Sequence, residues 1–424
     1  MSKAPRIIIT GLDGVPFGML KDLAESGVMP NTAEIISQGT FKKMSSSIPE
    51  VSSVAWSSII TGVNPGRHGI FGFTDLVPGS YQMMFPNFTD LKARPFWQEQ
   101  KGPSVIINVP STYPVVAMDG VLISGFVSID FDKSIYPSSV AAKLRSFDYR
   151  LDVDSQKAHK SMILFLEDLD KTLDARIKAC EYLWDYTDWK TFMLVFTGTD
   201  RLMHFLWDAY EDRNHKYHGA FLSYFSKIDA VIGQINSRMD DNDRLIMLSD
   251  HGFERLENDV YVNLLLLEAG FLNFKNDEGM DLKNICFGTR AFALDPARIY
   301  VNLKGKYPCS SVEPEHKEEV LCELEKFFSS FEAGGKKVFE RICRKEQIYE
   351  GPYLDAGPDM VLVGAKGFNL KAGTRAARTI DKGIFTGKHT WHDAFLFVRD
   401  KGVVCIPVDK PSVFDVKGLV LAQQ

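Results

Sequence analysis

The sequence predicts an α/β fold built on a central, mostly parallel sheet with helices on both faces. Three observations predict it. Short, largely apolar runs of strand length recur at residues 6–10, 104–109, 192–196, 245–248 and 394–398. An apolar run of that length bounded by turn residues suits a strand buried on both faces. Amphipathic stretches of helical length lie between them, at 16–26, 161–186 and 221–239. Finally, several of the strand-like runs end in Gly, Asp or His, at the position where open α/β sheets gather their ligands.

Composition limits the function classes. The chain has 424 residues, 45% of them hydrophobic, ample for a large core. That length allows two or three domains, although α/β enzymes often enlarge one sheet by insertion. Lys+Arg 49 against Asp+Glu 55 gives a net charge of −6. Without a basic block, no nucleic-acid surface is expected. No apolar run reaches the roughly 18 residues of a membrane span. The N-terminus runs straight into a strand with no signal-peptide pattern. Six scattered cysteines without a CxxC pair suggest reduced thiols. The expectation is a cytoplasmic protein; the oligomeric state is left open.

Taken in order, the first strand runs into Gly11-Leu12-Asp13-Gly14, which leaves one carboxylate at a strand tip between two permissive glycines. A helix is expected over 16–26, and a second, capped by Asn31, through Ile36. After Pro49, residues 54–60 have helical character and Gly62 suits a helix end, so Ser52 or Ser53 is expected to cap that helix. The amino end of a helix favours anions, including an alkoxide or a phosphoryl oxygen. The strand at 192–196 leads to Asp200 and His204, whose spacing of four places both on one helix face. The strand at 245–248 ends in Asp250-His251-Gly252. Residues 258–274 read as a surface helix and turn. From 276 to 381 the texture becomes more charged and glycine-rich, with short strand-like runs at 298–303 and 360–363. The expected organisation is a catalytic core of 1–275 and 382–424 with an inserted cap subdomain, 276–381, that covers the site and selects the leaving group. His389, in a loop after Gly387, is the last candidate, with His392 as its rival.

The candidate set is therefore Asp13, Ser52, Asp200, His204, Asp250, His251 and His389. Three carboxylates gathered at one sheet edge would raise one another's pKa unless cations neutralise them. Mixed Asp/His ligation suits two divalent metal ions, zinc first and manganese or iron next. Two such ions about 4 Å apart can clamp both oxygens of an in-line phosphoryl displacement. A nearby hydroxyl then serves as nucleophile, which makes two-metal phosphoryl transfer through a phosphoserine the chemistry that needs these parts. Arg67, Arg94 and Lys388 are candidate cations for the free oxygens of a monoester. Trp56, Phe71, Phe73 and Trp391 fit a core better than a pocket wall.

In order and spacing these motifs resemble the alkaline phosphatase superfamily, closest to its type I phosphodiesterase/nucleotide pyrophosphatase branch. The resemblance runs from Ile7 to Val398. It rests on Gly-Leu-Asp-Gly at Asp13 and on the run from Pro49 to Ile70 with its Thr-Gly-x-x-Pro-x-x-His-Gly-Ile. Asp-x-x-x-His at Asp200, Ser-Asp-His-Gly at Asp250 and Gly-x-His near the end complete it. It implies an alkaline-phosphatase-like sandwich with an inserted cap. It also implies Ser52 as the nucleophile, Asp200, His204 and His389 on one metal, and Asp13, Ser52, Asp250 and His251 on the other. Two departures narrow it. Nucleotide-cleaving members carry an Asn shortly after His-Gly-Ile, where this chain has Phe71-Gly72-Phe73-Thr74. Formylglycine sulfatases have Pro and Arg two and four residues after the nucleophile, where Val54 and Trp56 stand here. The expected function is a phosphodiesterase acting on a small-molecule phosphate ester. Its rivals are a phosphomonoesterase, a phosphonate hydrolase, or a catalytically silent scaffold.

Overall fold

A computed structural model describes residues 5–275, 279–400 and 408–422. The chain forms two compact units. The first comprises Met1–Val63, Asn87–Phe253 and His389–Gln424, and the second Asn64–Pro86 and Glu254–Lys388. The cap boundary expected at 276 and the thiol of Cys405 fall outside the described residues. The second unit opens at Glu254 and also takes in the segment 64–86.

The first unit is built on an eight-stranded sheet. Its strands are β1 (Ile7–Leu12), β2 (Thr40–Met44), β3 (Ser104–Val109), β4 (Gly120–Ser124), β5 (Ile135–Tyr136), β6 (Thr191–Phe196), β7 (Arg244–Leu248) and β8 (Ala394–Arg399). Their order is β2-β8-β7-β1-β6-β3-β4-β5. The five central strands β7, β1, β6, β3 and β4 run parallel to one another. β8 runs against β7 and β2, and β5 against β4. Every residue of β1, β3, β6 and β7 is buried, as strands covered on both faces require.

The main helices of this unit are α1 (Phe17–Glu25), α2 (Pro30–Ile36), α3 (Ser52–Thr61), α4 (Met162–Trp184), α5 (Gly198–Glu211) and α6 (His218–Ser237). Strand side chains alternate between faces, and the helices divide accordingly. Ile7, Ile9, Met193, Val195, Ile246 and Leu248 pack with Trp56, Ile59 and Ile60 of α3. Phe192 points to the other face, where Trp184 of α4 lies against it with ring centroids 5.0 Å apart.

Three local expectations are corrected. Asn31 does not cap α2, because the helix begins one residue earlier at Pro30, and Pro favours a first-turn position. Its amino end is instead held by the buried Asp229 of α6, which accepts from Asn31 N and Nδ2 and from Thr32 N and Oγ1 at 2.7–3.0 Å. Neither Ser52 nor Ser53 is the cap of α3, since Val51 takes that position and Ser52 is the first helical residue. His389 lies on a short strand, Gly387–Thr390, not in a loop.

The second unit has its own core. Strands Ala291–Leu294, Arg298–Val301, Met360–Gly364 and Phe339–Arg344 form an antiparallel sheet. Helix Lys317–Ser330 contributes Val320, Leu321, Leu324 and Phe328 to that core. The expected surface helix over 258–274 is overturned. Strand Asn258–Tyr261 leads into helix Val262–Glu268, whose residues Val262–Leu266 are buried. Its four consecutive leucines leave no wholly polar face for solvent, and the buried Asn263 is satisfied by the carbonyls of Ala293 and Ala372.

Asp229→Ala would leave four donors of α2 without their acceptor. It is expected to lower stability by about 1–3 kcal/mol, read as a lower urea midpoint at unchanged metal content.

Candidate active site

The three central strands β7, β1 and β6 stop in register. Gly11 pairs with both Val195 and Leu248, and Leu12 with Phe196. The residues that follow therefore emerge side by side: Asp13 after β1, Asp250 and His251 after β7, and Asp200 in the first turn of α5 after β6. Two glycines make this possible. A Cβ at Gly11 would lie 2.5 Å from the Trp56 ring, and Gly14 has φ +74° and donates its N–H to Asp250 Oδ1 at 3.0 Å. Thr199 ties α5 to β1 by donating to the carbonyl of Asp13 at 2.6 Å.

The structure brings all seven expected residues together. Ser52 Oγ lies 3.3 Å from Asp13 Oδ1 and 3.2 Å from His251 Nε2. His389 Nε2 is 2.9 Å from Asp200 Oδ1 and 3.0 Å from His204 Nε2. His204 Nε2 is 3.4 Å from Asp200 Oδ1. The His251 and His389 rings stack with centroids 3.7 Å apart. His392, the rival, is exposed.

The histidine tautomers follow from their backbone partners. His389 Nδ1 is 2.8 Å from the Glu50 carbonyl and His251 Nδ1 is 3.1 Å from the Gly252 carbonyl. Each Nδ1 must carry the proton to donate there, so each Nε2 turns a lone pair inward. Burial drives both rings toward the neutral form, His251 down to about 4. An Nε2 lone pair then faces the Asp200 carboxylate oxygen, an acceptor against an acceptor.

The carboxylates show the same tension. Burial, then the neighbouring Asp250 and Asp200 charges, push the Asp13 carboxyl well above its usual range. Burial likewise raises Asp250 to about 7. Burial would also raise Asp200, but His204 beside it holds it well below the ordinary value. Asp250 Oδ2 is buried without a hydrogen-bond partner. Inward lone pairs, crowded carboxylates and an orphaned buried oxygen all suit cations. Two overlapping groups of ligand atoms lie close enough together for a metal ion, Asp13, Asp250 and His251, and Asp200, His251 and His389; they share His251, and His204 is in neither.

Two polar contacts of the site escaped the sequence. Trp56 Nε1 donates to Asp13 Oδ2 at 3.1 Å, and Arg201 Nη1 to Asp200 Oδ2 at 3.0 Å. Trp56 lies four residues after Ser52, on the same helix face, which was a usable signal; Arg201 gave none beyond adjacency. Phe253 packs against His204 and His389 with centroids 4.9 and 5.1 Å away. Of the other residues considered, Trp56 and Phe71 are fully buried. Arg67 pairs with Glu350, and Lys388 with Glu254, within the second unit.

The central strand ends supply Asp13, Asp200, Asp250 and His251, and His204 of α5, Ser52 of α3 and His389 of the strand Gly387–Thr390 join them at one edge of an alkaline-phosphatase-like α/β fold. The model of the type I phosphodiesterase/nucleotide pyrophosphatase family matches residues 7–392, and the chain belongs to that family. It is thus a phosphoryl-transfer hydrolase of the alkaline phosphatase superfamily. Among solved structures it is similar to phosphonoacetate hydrolase from Sinorhizobium meliloti 1021 bound to phosphonoacetate. The TM-score is 0.66 at 14% identity, covering 99% of this chain and 96% of the other. It is also similar to human ectonucleotide pyrophosphatase/phosphodiesterase 5, with TM-score 0.59, 12% identity, and 98% and 94% coverage. The murine counterpart, an inactive form in complex with AMP, gives 0.58, 12%, and 99% and 94%. No curated protein matches the chain in sequence. At these identities the likeness concerns the fold. No helix among the described residues is long and apolar enough to cross a membrane.

Asp250 must lose its proton when a cation enters. Because its pKa is raised to about 7, cation binding at pH 6 is expected to release protons, with affinity rising as pH climbs through that value. Calorimetry in buffers of different ionisation enthalpy reads both. His389→Ala is expected to lose bound metal that His392→Ala retains, by elemental analysis.

Proposed function

We propose that the protein is a metal-dependent phosphodiesterase that works through a covalent phospho-Ser52 intermediate at a two-cation site. The observation that carries this is the position of Ser52 Oγ, at the first residue of α3 and within 3.3 Å of both Asp13 Oδ1 and His251 Nε2. Asp200, His204 and His389 would hold one cation, and Asp13, Ser52, Asp250 and His251 the other. Zinc suits this donor set first, and manganese or iron next. The cations would neutralise the carboxylates, acidify the Ser52 hydroxyl and stabilise charge on the transferred phosphoryl group.

The chain's own residues supply the rest. The Ser52 hydroxyl gives up its proton and Oγ attacks phosphorus, forming the Oγ–P bond as the bond to the leaving alkoxide breaks, and the alkoxide takes up a proton to depart as the alcohol. Water then attacks the phosphoserine, and the Oγ–P bond breaks to return the hydroxyl. The amino end of α3 adds backbone N–H groups and its positive dipole beside the phosphoryl oxygens. Neutral, anchored His251 and His389 keep their inward nitrogens available.

A diester is favoured over a monoester on charge. A dianionic monoester calls for an additional cation at its free oxygens. Arg201, the cation touching a ligand carboxylate, is already committed to Asp200 and Asp152. The phosphonate-hydrolase alternative draws on the structural likeness to an enzyme crystallised with phosphonoacetate.

The test compares bis-p-nitrophenyl phosphate, p-nitrophenyl phosphate and phosphonoacetate on zinc- and manganese-loaded protein. Preferred turnover of the diester is expected, with Ser52→Ala lowering kcat by at least about a thousandfold while retaining the fold. Preference for the monoester or the phosphonate moves the protein to that branch. Full activity in Ser52→Ala overturns the covalent route, and no turnover of any substrate with metal bound favours a silent scaffold.

A further inference from the structure

The three ligand carboxylates share one arrangement. In each, one oxygen is tied to the protein and the other faces the cluster. Asp13 Oδ2 accepts from Trp56 Nε1 at 3.1 Å, while Oδ1 lies 3.3 Å from Ser52 Oγ and 3.7 Å from His251 Nε2. Asp200 Oδ2 accepts from Arg201 Nη1 at 3.0 Å, while Oδ1 lies 2.9 Å from His389 Nε2. Asp250 Oδ1 accepts from Gly14 N at 3.0 Å, and its Oδ2 is the buried oxygen without a partner.

The donors are themselves held. Trp56 is fully buried, and its ring fits because Gly11 has no side chain. Ser52 and Trp56 sit one helical turn apart, so a single face of α3 grips both oxygens of Asp13. Arg201 places Nε and Nη2 on Asp152 Oδ2 at 3.1 and 2.8 Å, and its guanidinium lies 4.2 Å from the centre of the Phe126 ring. With those two nitrogens committed, only the Nη1 edge is directed at Asp200.

The geometry points to Trp56 and Arg201 as positioning residues, one for each cation. Trp56 fixes Asp13 so that only Oδ1 can bind, and Arg201 does the same for Asp200. This deepens the two-cation proposal above and rests on it. A carboxylate free to rotate would offer either oxygen, or both, and spread its ligation over several geometries. Locked ligands bind in one geometry, and outer-shell hydrogen bonds of this kind are commonly worth about 10–100-fold in metal affinity. Because Trp56 grips Asp13 beside Ser52, its loss also loosens the nucleophile.

The test uses charge-retaining substitutions, so that orientation alone changes. Trp56→Phe keeps the ring and removes the N–H. Arg201→Lys keeps the charge but cannot bridge Asp152 and Asp200 as a fork. The full-length protein is stripped and titrated with zinc, and the stepwise affinities are read by competition with a chromophoric chelator. Asp13→Asn and His204→Ala identify which affinity class belongs to which half of the site. Trp56→Phe is expected to weaken, by about 10–100-fold, the class that Asp13→Asn removes, while sparing the one that His204→Ala removes. Arg201→Lys is expected to do the reverse. In steady state, Trp56→Phe should lower kcat with KM little changed. Wild-type affinity for both cations in both variants overturns the assignment, as does equal weakening of both classes in each. The two residues lie on different helices, so either variant decides its own half if the other does not fold. Wild-type protein that binds fewer than two cations would instead overturn the two-cation proposal itself.

Discussion

Three carboxylates are buried within reach of one another at the ends of β7, β1 and β6, and most of the first unit follows from keeping them there. Like charges in a low-dielectric interior repel strongly, and burial alone opposes their ionisation. The chain meets this with strands that end in register, a glycine on each side of the Asp13 turn and a separate N–H donor for one oxygen of each acid. What remains uncompensated faces inward. The cluster is thus poised for cations, and a site with the same residues placed loosely would collapse into ordinary hydrogen bonds.

The histidines carry the complementary half of that constraint. Their Nδ1 atoms are anchored to the carbonyls of Glu50 and Gly252, which sets the tautomer and turns Nε2 toward the acids. Ser52 enters the same space as the first residue of α3, and Trp56 one turn later grips the acid beside it. Ser52 and Asp13 are therefore coupled through one short helix, so packing under α3 bears on both.

Family membership and fold make the protein a phosphoryl-transfer hydrolase, but the choice of ester belongs to local charge. The solved structures it resembles hold phosphonoacetate in one case and AMP in another, at 12–14% identity. Arg201, a cation beside the site, is spent on Asp152 and Asp200.

The sequence alone pointed to the parallel core strands β1, β3, β6 and β7 and to most of the seven candidate residues that the folded chain brings together, because both are written locally. A buried strand is a run of apolar residues, and a strand-end ligand is the polar residue that stops it. Spacing alone could not choose between Ser52 and Ser53 or between His389 and His392. Resemblance chose, and the folded chain places Ser52 and His389 in the cluster with His392 exposed. Tertiary structure alone decided the rest. Asp229 caps α2 across 198 residues of sequence, counted from Asn31. The first five residues of the VNLLLLE helix are buried because the second unit's own core closes over them, with Asn263 bonded to carbonyls that come from distant strands and turns. Trp56 and Arg201 find their acids only once three strands stand side by side. Such hydrogen bonds depend on distances that no local pattern encodes, since they are set by the register of neighbouring strands and the seating of helices upon them.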